Sequence, residues 1–376
     1  MVSNPLKELG KVGQSFWYDN ISRELINSGM LKIMVAEDGL TGITSNPSIF
    51  YKSISASSDY LEPMKKLSAK ESISSKEIFY HLEFEDIKDA ADLLKPVYDS
   101  TGGKDGYVSI EVDPNFAADT EATVAEARDI FSRIDRPNVM IKVPATKEGI
   151  PAIARLTSEG YNVNATLLFS VKRYGEVVEA YLEGLQRRLS NGQEINGIAS
   201  VASFFISRMD TYIDKLLNEK MQLYNNTEEH DWLKSLMGKT AIANAKSAYQ
   251  VMVSSFSSER FLKLKSRGAR VQRLLWASTS TKNPSYGDCH YVDNLIGPHT
   301  INTIPEDTVR CFRKHGSVVR TVDKDLEEVE IVLNSLEDLN IDIEEAAGKL
   351  EEDGVKQFID SFNALLKLVG EKCREL

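Results

Sequence analysis

Short runs rich in β-branched and aromatic residues alternate with longer amphipathic stretches, such as 119–134 and 174–189, along the whole chain. Continuous or alternating apolar residues over a few positions are typical of strands, whereas a period near 3.6 is typical of helices. The strand-like runs lie at 15–19, 40–44, 107–111, 139–142, 162–166, 197–203, 271–277 and 299–303. This alternation indicates parallel βαβ units, and eight of them predict an α/β fold, the (β/α)8 TIM barrel.

No linker, low-complexity tract or fixed-period repeat divides the chain, so we expect one barrel domain over residues 1–376. Two segments exceed a minimal barrel. The polar stretch 218–236 indicates an insertion, and the tail from about residue 323 carries apolar residues at helical spacing. We expect this tail, about 323–376, to form helices that pack on the barrel.

Acidic residues outnumber basic ones, with 45 Lys and Arg against 56 Asp and Glu and a formal net charge of −11. Phosphate backbones repel acidic surfaces, so this balance argues against nucleic-acid and anionic-membrane partners but leaves room for a local basic pocket. The three cysteines (Cys289, Cys311 and Cys373) include no CxxC pair and fit unpaired thiols in a reducing compartment. The N-terminus lacks the apolar segment of a signal peptide, so we expect a cytoplasmic protein.

Hydrogen-bonding or ionisable side chains lie at or just beyond the ends of seven predicted strands. They are Asp19, Asn46, Glu111, Lys142, Asn164 with Thr166, Ser203 and Lys282. In a TIM barrel the carboxyl ends of the strands converge on one mouth, where functional groups are found. The sequence therefore predicts a single polar site at that mouth.

Lys142 has the sharpest chemical signal, because it follows three apolar residues in the segment NVMIKVPAT. A buried ammonium is costly unless it is paired or neutralised, and a neutral amine is a nucleophile that can form a Schiff base with a carbonyl. A stabilising pair with a carboxylate such as Glu111 explains the lysine equally well. Both interpretations stay open at this point.

The other strand-end groups also have two interpretations. Asp19 and Glu111 could be an acid and base pair or simply hydrogen-bonded carboxylates. Asn46 precedes a proline, so helix capping alone would be enough to explain it. Ser203 and Arg208 lie at a strand-to-helix junction that suits a phosphate group. A salt bridge from Arg208 to Asp210 or Asp214 is the alternative.

Cofactor and metal motifs are missing from the sequence. The five histidines have no HxH or HExxH spacing, so we predict no metal centre at the site. The segments around 237–240 and 102–106 each lack the first glycine of a P-loop and of a dinucleotide fingerprint, respectively. We therefore expect no cofactor.

Six motifs, in order, resemble those of the transaldolase family over residues from about 12 to 368. They are GITSNPSIF, SIEVDP, NVMIKVPAT, GYNVNATLLFSVKRY, ASVASFFISRMDTYID and RLLWASTSTKNPSY. The form of the last motif, the insertion and the acidic tail resemble the longer bacterial and plastid branch. The resemblance implies transfer of a dihydroxyacetone unit from sedoheptulose 7-phosphate or fructose 6-phosphate to glyceraldehyde 3-phosphate or erythrose 4-phosphate.

The resemblance also implies a role for each candidate residue. Lys142 would form the Schiff base, and Asp19 would take the proton of the C4 hydroxyl. Glu111 and Thr166 would hold a catalytic water. The remaining residues would bind the substrate. Asn46 and Asn164 would bind the dihydroxyacetone unit, and the phosphate of the sugar would be bound by Ser203, Arg208 and Lys282.

A fructose-6-phosphate aldolase, which would release free dihydroxyacetone, is the first alternative function. A barrel that binds a sugar phosphate without catalysis is the second. Asp19 and the length of the chain favour the transferase. In each case the expected partner is a small sugar phosphate, and we expect a monomer or a homodimer.

Overall fold

A computed structural model of the chain describes residues 4–69, 73–224 and 226–376. Its strands are β1 Gln14–Tyr18, β2 Leu40–Thr44, β3 Tyr107–Glu111, β4 Val139–Pro144, β5 Val163–Leu168, β6 Ser200–Phe205, β7 Arg273–Ala277 and β8 Thr300–Ile304. All neighbours pair in parallel and in sequence order, and β8 closes the barrel against β1. The predicted (β/α)8 barrel is confirmed.

The predicted strands correspond to the observed ones, but some ends differ. Asp19 follows β1 instead of ending it, and Ser203 lies inside β6 because that strand continues through two phenylalanines to Phe205. β6 also starts later than predicted. Gly197 has a φ of 89°, a left-handed conformation that interrupts extended backbone, so the strand begins at Ser200.

The described residues form seventeen α-helices with short 3-10 and π segments between some of them. The α-helices are α1 Pro5–Glu8, α2 Arg23–Asn27, α3 Met30–Ile33, α4 Pro47–Ala56, α5 Leu61–Ser68, α6 Ser75–Ser100, α7 Thr120–Ile134, α8 Gly149–Glu159, α9 Val171–Ser190, α10 Ser207–Met221, α11 Thr227–Leu236, α12 Thr240–Ser257, α13 Glu259–Lys265, α14 His290–Asn294, α15 Glu306–His315, α16 Leu326–Asp338 and α17 Ile343–Glu375. Among them, none combines the length and the apolar character needed to cross a bilayer.

The two segments beyond a minimal barrel are mostly helical. Residues 218–221 continue α10, and α11 occupies most of the remaining polar stretch. The tail forms α16 and α17. Phe362 of α17 packs edge-on against Phe79 of α6 with ring centroids 6.0 Å apart, and the Ser48 hydroxyl of α4 donates to that of Ser361 at 2.9 Å. The last helix therefore lies across α4 and α6.

The amino-terminal end of the barrel is closed by a buried polar cluster. Arg273 and Asp105 form an ion pair of 3.0 Å, and the Trp17 indole donates to Asp105 at 3.1 Å. Gly42 makes room for this indole, because a Cβ there would lie 2.4 Å from the Trp17 ring. The opposite end, where the strands finish, is left as the mouth.

Candidate active site

The carboxyl ends of the strands surround a cavity of about 330 Å³. Seven of the nine predicted site residues line it: Asp19, Asn46, Lys142, Thr166, Ser203, Arg208 and Lys282. Glu111 and Asn164 do not line the cavity; both are buried in the barrel behind it. Residues that are far apart in the sequence meet here because parallel strands of a barrel end at one rim.

Lys142 lies at the floor of this cavity, with only 5% of its surface exposed. Its Nζ donates to the Ser45 carbonyl oxygen at 2.9 Å and lies 3.5 Å from Glu111 Oε2 on the neighbouring strand, where the two residues are in register. The predicted carboxylate pair therefore exists. The amine nevertheless borders the cavity, so pairing and access to a ligand are combined in one residue.

Glu111, beside this amine, and Thr166, in the cavity lining, each present a buried oxygen. Burial raises the pKa of Glu111 to about 7, against the opposing effect of the Lys142 charge. Glu111 Oε1 and Thr166 Oγ1 have no hydrogen-bond partner among the described residues. Buried polar atoms are normally satisfied, so these two oxygens are suited to a water molecule or a polar ligand group.

Asp19 faces the cavity from the end of β1. Thr44 Oγ1 donates to Asp19 Oδ1 at 2.8 Å and lies 2.6 Å from the Thr303 hydroxyl. Burial raises the pKa of Asp19, while the hydrogen bond from Thr44 and the charge of Lys142 oppose this rise. Asp19 is thus a carboxylate fixed by a hydrogen bond and with an increased affinity for a proton, which suits a general base.

The two asparagines differ in what they can offer. Both ends of the Asn164 amide are engaged, because Nδ2 donates to Ser109 Oγ at 3.1 Å and Oδ1 accepts from Ser203 Oγ at 2.7 Å. Asn46 caps α4, and its Oδ1 accepts from the Ile49 amide at 3.1 Å. The capping interpretation of Asn46 is therefore correct, and the same residue also lines the cavity.

Arg208 forms no ion pair with any described residue. Its proposed alternative partners are engaged elsewhere, since Asp210 accepts from the Ala241 amide at 2.7 Å and Asp214 from the Tyr286 hydroxyl at 2.6 Å. Burial alone lowers the pKa of Arg208. A half-buried guanidinium without a carboxylate leaves its donors available to an anion in the cavity.

The sequence analysis missed several other residues that line the cavity, among them Lys52, Ser278 and Phe358. The sequence could have predicted Lys52, because Asn46 caps α4 just after β2, and Ile49 and Lys52 lie on one face of that helix. Ser278 follows β7 with a φ of 56°. Phe358 had no comparable signal, since helical spacing shows that a face is buried without showing what it covers.

Phe358 brings the last helix into the site. The centroid of its ring lies 5.7 Å from Lys142 Nζ, a cation–π distance. One turn earlier, a Cβ at Gly354 would lie 3.7 Å from the Arg208 guanidinium. α17 therefore passes over both the amine and the cation of the cavity.

A family model described as Transaldolase/Fructose-6-phosphate aldolase matches residues 16–369. The chain belongs to this family. A transaldolase of Trichodesmium erythraeum is 47% identical over 378 residues, covering 100% of this chain and 99% of the relative. Transaldolases of Thiobacillus denitrificans and Saccharopolyspora erythraea are 43% and 44% identical, covering 98% of this chain and 100% and 97% of the relatives.

Membership of the transaldolase/fructose-6-phosphate aldolase family confirms the resemblance seen in the motifs. The family match extends to residue 369, so it includes α16 and most of α17. The relatives are matched over almost their whole length. The helix that covers the cavity thus belongs to the part of the chain that is similar to them.

Proposed function

We propose that this protein is a transaldolase that carries a dihydroxyacetone unit from a ketose phosphate to an aldose phosphate as a Schiff base on Lys142. The observation that carries this proposal is the position of the Lys142 amine. It is buried at the floor of a cavity that the cations Lys52, Arg208 and Lys282 also line. This arrangement suits a substrate with a carbonyl at one end and a phosphate at the other.

The first step joins the substrate to the enzyme. The Lys142 amine attacks the C2 carbonyl, and the carbonyl oxygen leaves as water after proton transfer, which produces a protonated imine. Glu111 and Thr166 hold the water that moves these protons. Two features support this role: their unpartnered oxygens, and a Glu111 pKa of about 7, at which a carboxyl can both donate and accept.

The second step breaks the C3–C4 bond of the bound ketose. Asp19 takes the proton of the C4 hydroxyl, the C4 end leaves as an aldehyde, and the bonding electrons move into the protonated imine to form an enamine. The acceptor aldose then reacts with the enamine by the reverse path. The imine is itself the electron sink, so the reaction needs no cofactor.

Arg208→Ala is expected to weaken the binding of phosphorylated substrates by about one to two orders of magnitude, because a charge-assisted contact is worth roughly 1.5 to 3 kcal/mol. Michaelis constants for fructose 6-phosphate and for unphosphorylated fructose measure the effect. The change for fructose should be small. Arg208→Lys, which keeps the charge, should recover part of the loss, and equal losses for both sugars would make Arg208 a structural residue instead.

The Phe358 ring shields the covalent intermediate on Lys142 from water. A transferase must keep its enamine from being protonated before the acceptor arrives, and the Phe358 ring lies directly beside the Lys142 amine. Phe358→Ala should therefore raise the release of free dihydroxyacetone relative to transfer by several-fold. Product analysis with fructose 6-phosphate, with and without erythrose 4-phosphate, gives this ratio.

Phe362→Ala is the matched control for that experiment. Phe362 is buried on the same helix but packs against Phe79 and does not line the cavity. Its loss should loosen α17 without changing the ratio of release to transfer. The same increase in both variants would show that helix docking in general, rather than the Phe358 ring, protects the intermediate.

The proposed function is tested by supplying fructose 6-phosphate with and without erythrose 4-phosphate. A transaldolase forms sedoheptulose 7-phosphate, and more than one equivalent of glyceraldehyde 3-phosphate per enzyme, only when the acceptor is present. An aldolase would release dihydroxyacetone without the acceptor, and a binding protein would form neither product. Either of the last two outcomes would replace the proposal.

The setting of this activity is also proposed. We infer a cytoplasmic enzyme of the non-oxidative pentose phosphate pathway whose partners are small sugar phosphates, without nucleic acid and without a membrane. The net charge of −11 supports the absence of nucleic acid, because only a few cations gather at the cavity. We further propose one domain over residues 1–376 and a monomer or homodimer.

A further inference from the structure

Three side chains with metal-ligating atoms come together outside the barrel mouth, between the segment after β7 and the helix α15, and a fourth lies beside them on that helix. Asp288 and Cys289 directly precede α14, while Cys311 and His315 belong to α15. Ligand atoms of Asp288, Cys289 and His315 all lie within 4.8 Å of one another, and His315 Nε2 is 3.3 Å from Asp288 Oδ2. None of the four residues lines the cavity.

Cys311 is the candidate for a fourth ligand, and it lies on the helix α15. It precedes His315 by four residues, so the two side chains lie on one face of α15. Its thiol faces the Asp288 carboxylate. Two thiols, one imidazole and one carboxylate thus lie on two separate segments, and the ligand atoms of three of these residues lie within 4.8 Å of one another.

We propose that Asp288, Cys289, Cys311 and His315 bind one zinc ion. Zinc is a borderline-soft cation that takes sulfur, nitrogen and carboxylate ligands in a tetrahedron. Bonds of about 2.0 to 2.3 Å place tetrahedral ligand atoms roughly 3.3 to 3.8 Å apart. Asp288, Cys289 and His315 need only modest side-chain rotations to reach this spacing, and a rotation of Cys311 toward them would supply the fourth ligand. The hard cations magnesium and calcium, which take oxygen ligands, do not fit two thiols.

The zinc ion would be structural. Four protein ligands close its coordination and leave no position for a substrate. The ion would join the end of the loop that carries Lys282 to α15, and so restrain this loop. The histidine spacing in the sequence did not predict such a site, because its ligands come from segments more than twenty residues apart. This proposal does not depend on the proposed function.

Zinc itself is the probe in the experiment. The reduced full-length protein is stripped with EDTA, incubated with zinc, separated from free metal by gel filtration and analysed for bound zinc. The wild type should retain about one zinc per chain. Cys289→Ser and His315→Ala should each weaken binding by at least about 10- to 100-fold in competition with a chromophoric chelator.

Matched controls are Cys373→Ser and His81→Ala, which remove a thiol and an imidazole outside the cluster and should bind zinc like the wild type. Cys289 is buried, so circular dichroism checks the folding of its variant, and His315, with 53% of its side chain exposed, decides the test if that variant unfolds. Cobalt substitution should give thiolate charge-transfer bands in the wild type, and these bands should be weaker in Cys289→Ser, which keeps only the Cys311 thiol.

Two results would overturn the proposal. One is a wild type that retains no zinc after gel filtration. The other is unchanged zinc affinity in His315→Ala. Zinc retention is measured without any sugar substrate, and no proposed ligand lines the cavity. The zinc measurement therefore fails or succeeds independently of the transaldolase assay.

Discussion

Borohydride reduction in the presence of fructose 6-phosphate is expected to leave a stable adduct on Lys142, and Lys142→Arg is expected to form none. A guanidinium with a pKa above about 12 keeps its charge and cannot attack a carbonyl. Transfer should fall by several orders of magnitude, because the residue that forms the covalent intermediate is lost. Peptide mass analysis of the reduced protein locates the adduct.

Lys52→Arg is the matched control, because Lys52 lines the same cavity but lies on α4, away from its floor. This variant should still form the adduct on Lys142. Arginine at position 142 also keeps a positive charge beside Glu111, so the buried carboxylate is not left alone. An adduct on Lys52 or on any other lysine would overturn the central assignment.

Asp19→Ala is expected to form the imine but to lose transfer by about 10² to 10⁴, the usual contribution of a general base. Without a base for the C4 hydroxyl, the C3–C4 bond stays intact. The reduced adduct on Lys142 should therefore have the mass of the whole hexose phosphate. In the wild type part of the adduct should be the three-carbon fragment.

Asp19→Asn separates the role of Asp19 as a base from its structural role as a hydrogen-bond acceptor. An asparagine can still accept the hydrogen bond that Thr44 donates to Asp19, but it cannot take a proton from the substrate. It should therefore behave like Asp19→Ala in the trapping experiment. A three-carbon adduct in either variant would remove Asp19 from the cleavage step.

Local sequence patterns were sufficient for the barrel and for most of the cavity. All eight strands were found, because buried parallel strands are short apolar runs bounded by turn residues. The strand-end rule then located six of the residues that line the cavity, and the strand-to-helix junction added Arg208. The errors concern strand ends, as at Ser203, where a continuing apolar run does not show how far the strand extends.

Long-range contacts explain what the sequence missed. Whether Lys142 is paired or open to the cavity depends on the register that places Glu111 beside it and on the Ser45 carbonyl oxygen beyond. Asp210 and Asp214 bind other partners because of where α12 and the segment after β7 pack. Among the residues that the structure describes, this leaves Arg208 without a carboxylate partner. Neither can be derived from neighbouring residues.

The sequence by itself determined the order of strands, the strand-end polar groups and the apolar stripe of the last helix. Those features depend on the spacing of residues along the chain, and they can be predicted because strands and helices have different periods. Only the tertiary structure decided that this stripe brings Phe358 over Lys142, and that Cys289 meets His315. Such contacts join distant segments and depend on how complementary surfaces pack. The spacing of residues along the chain does not predict them.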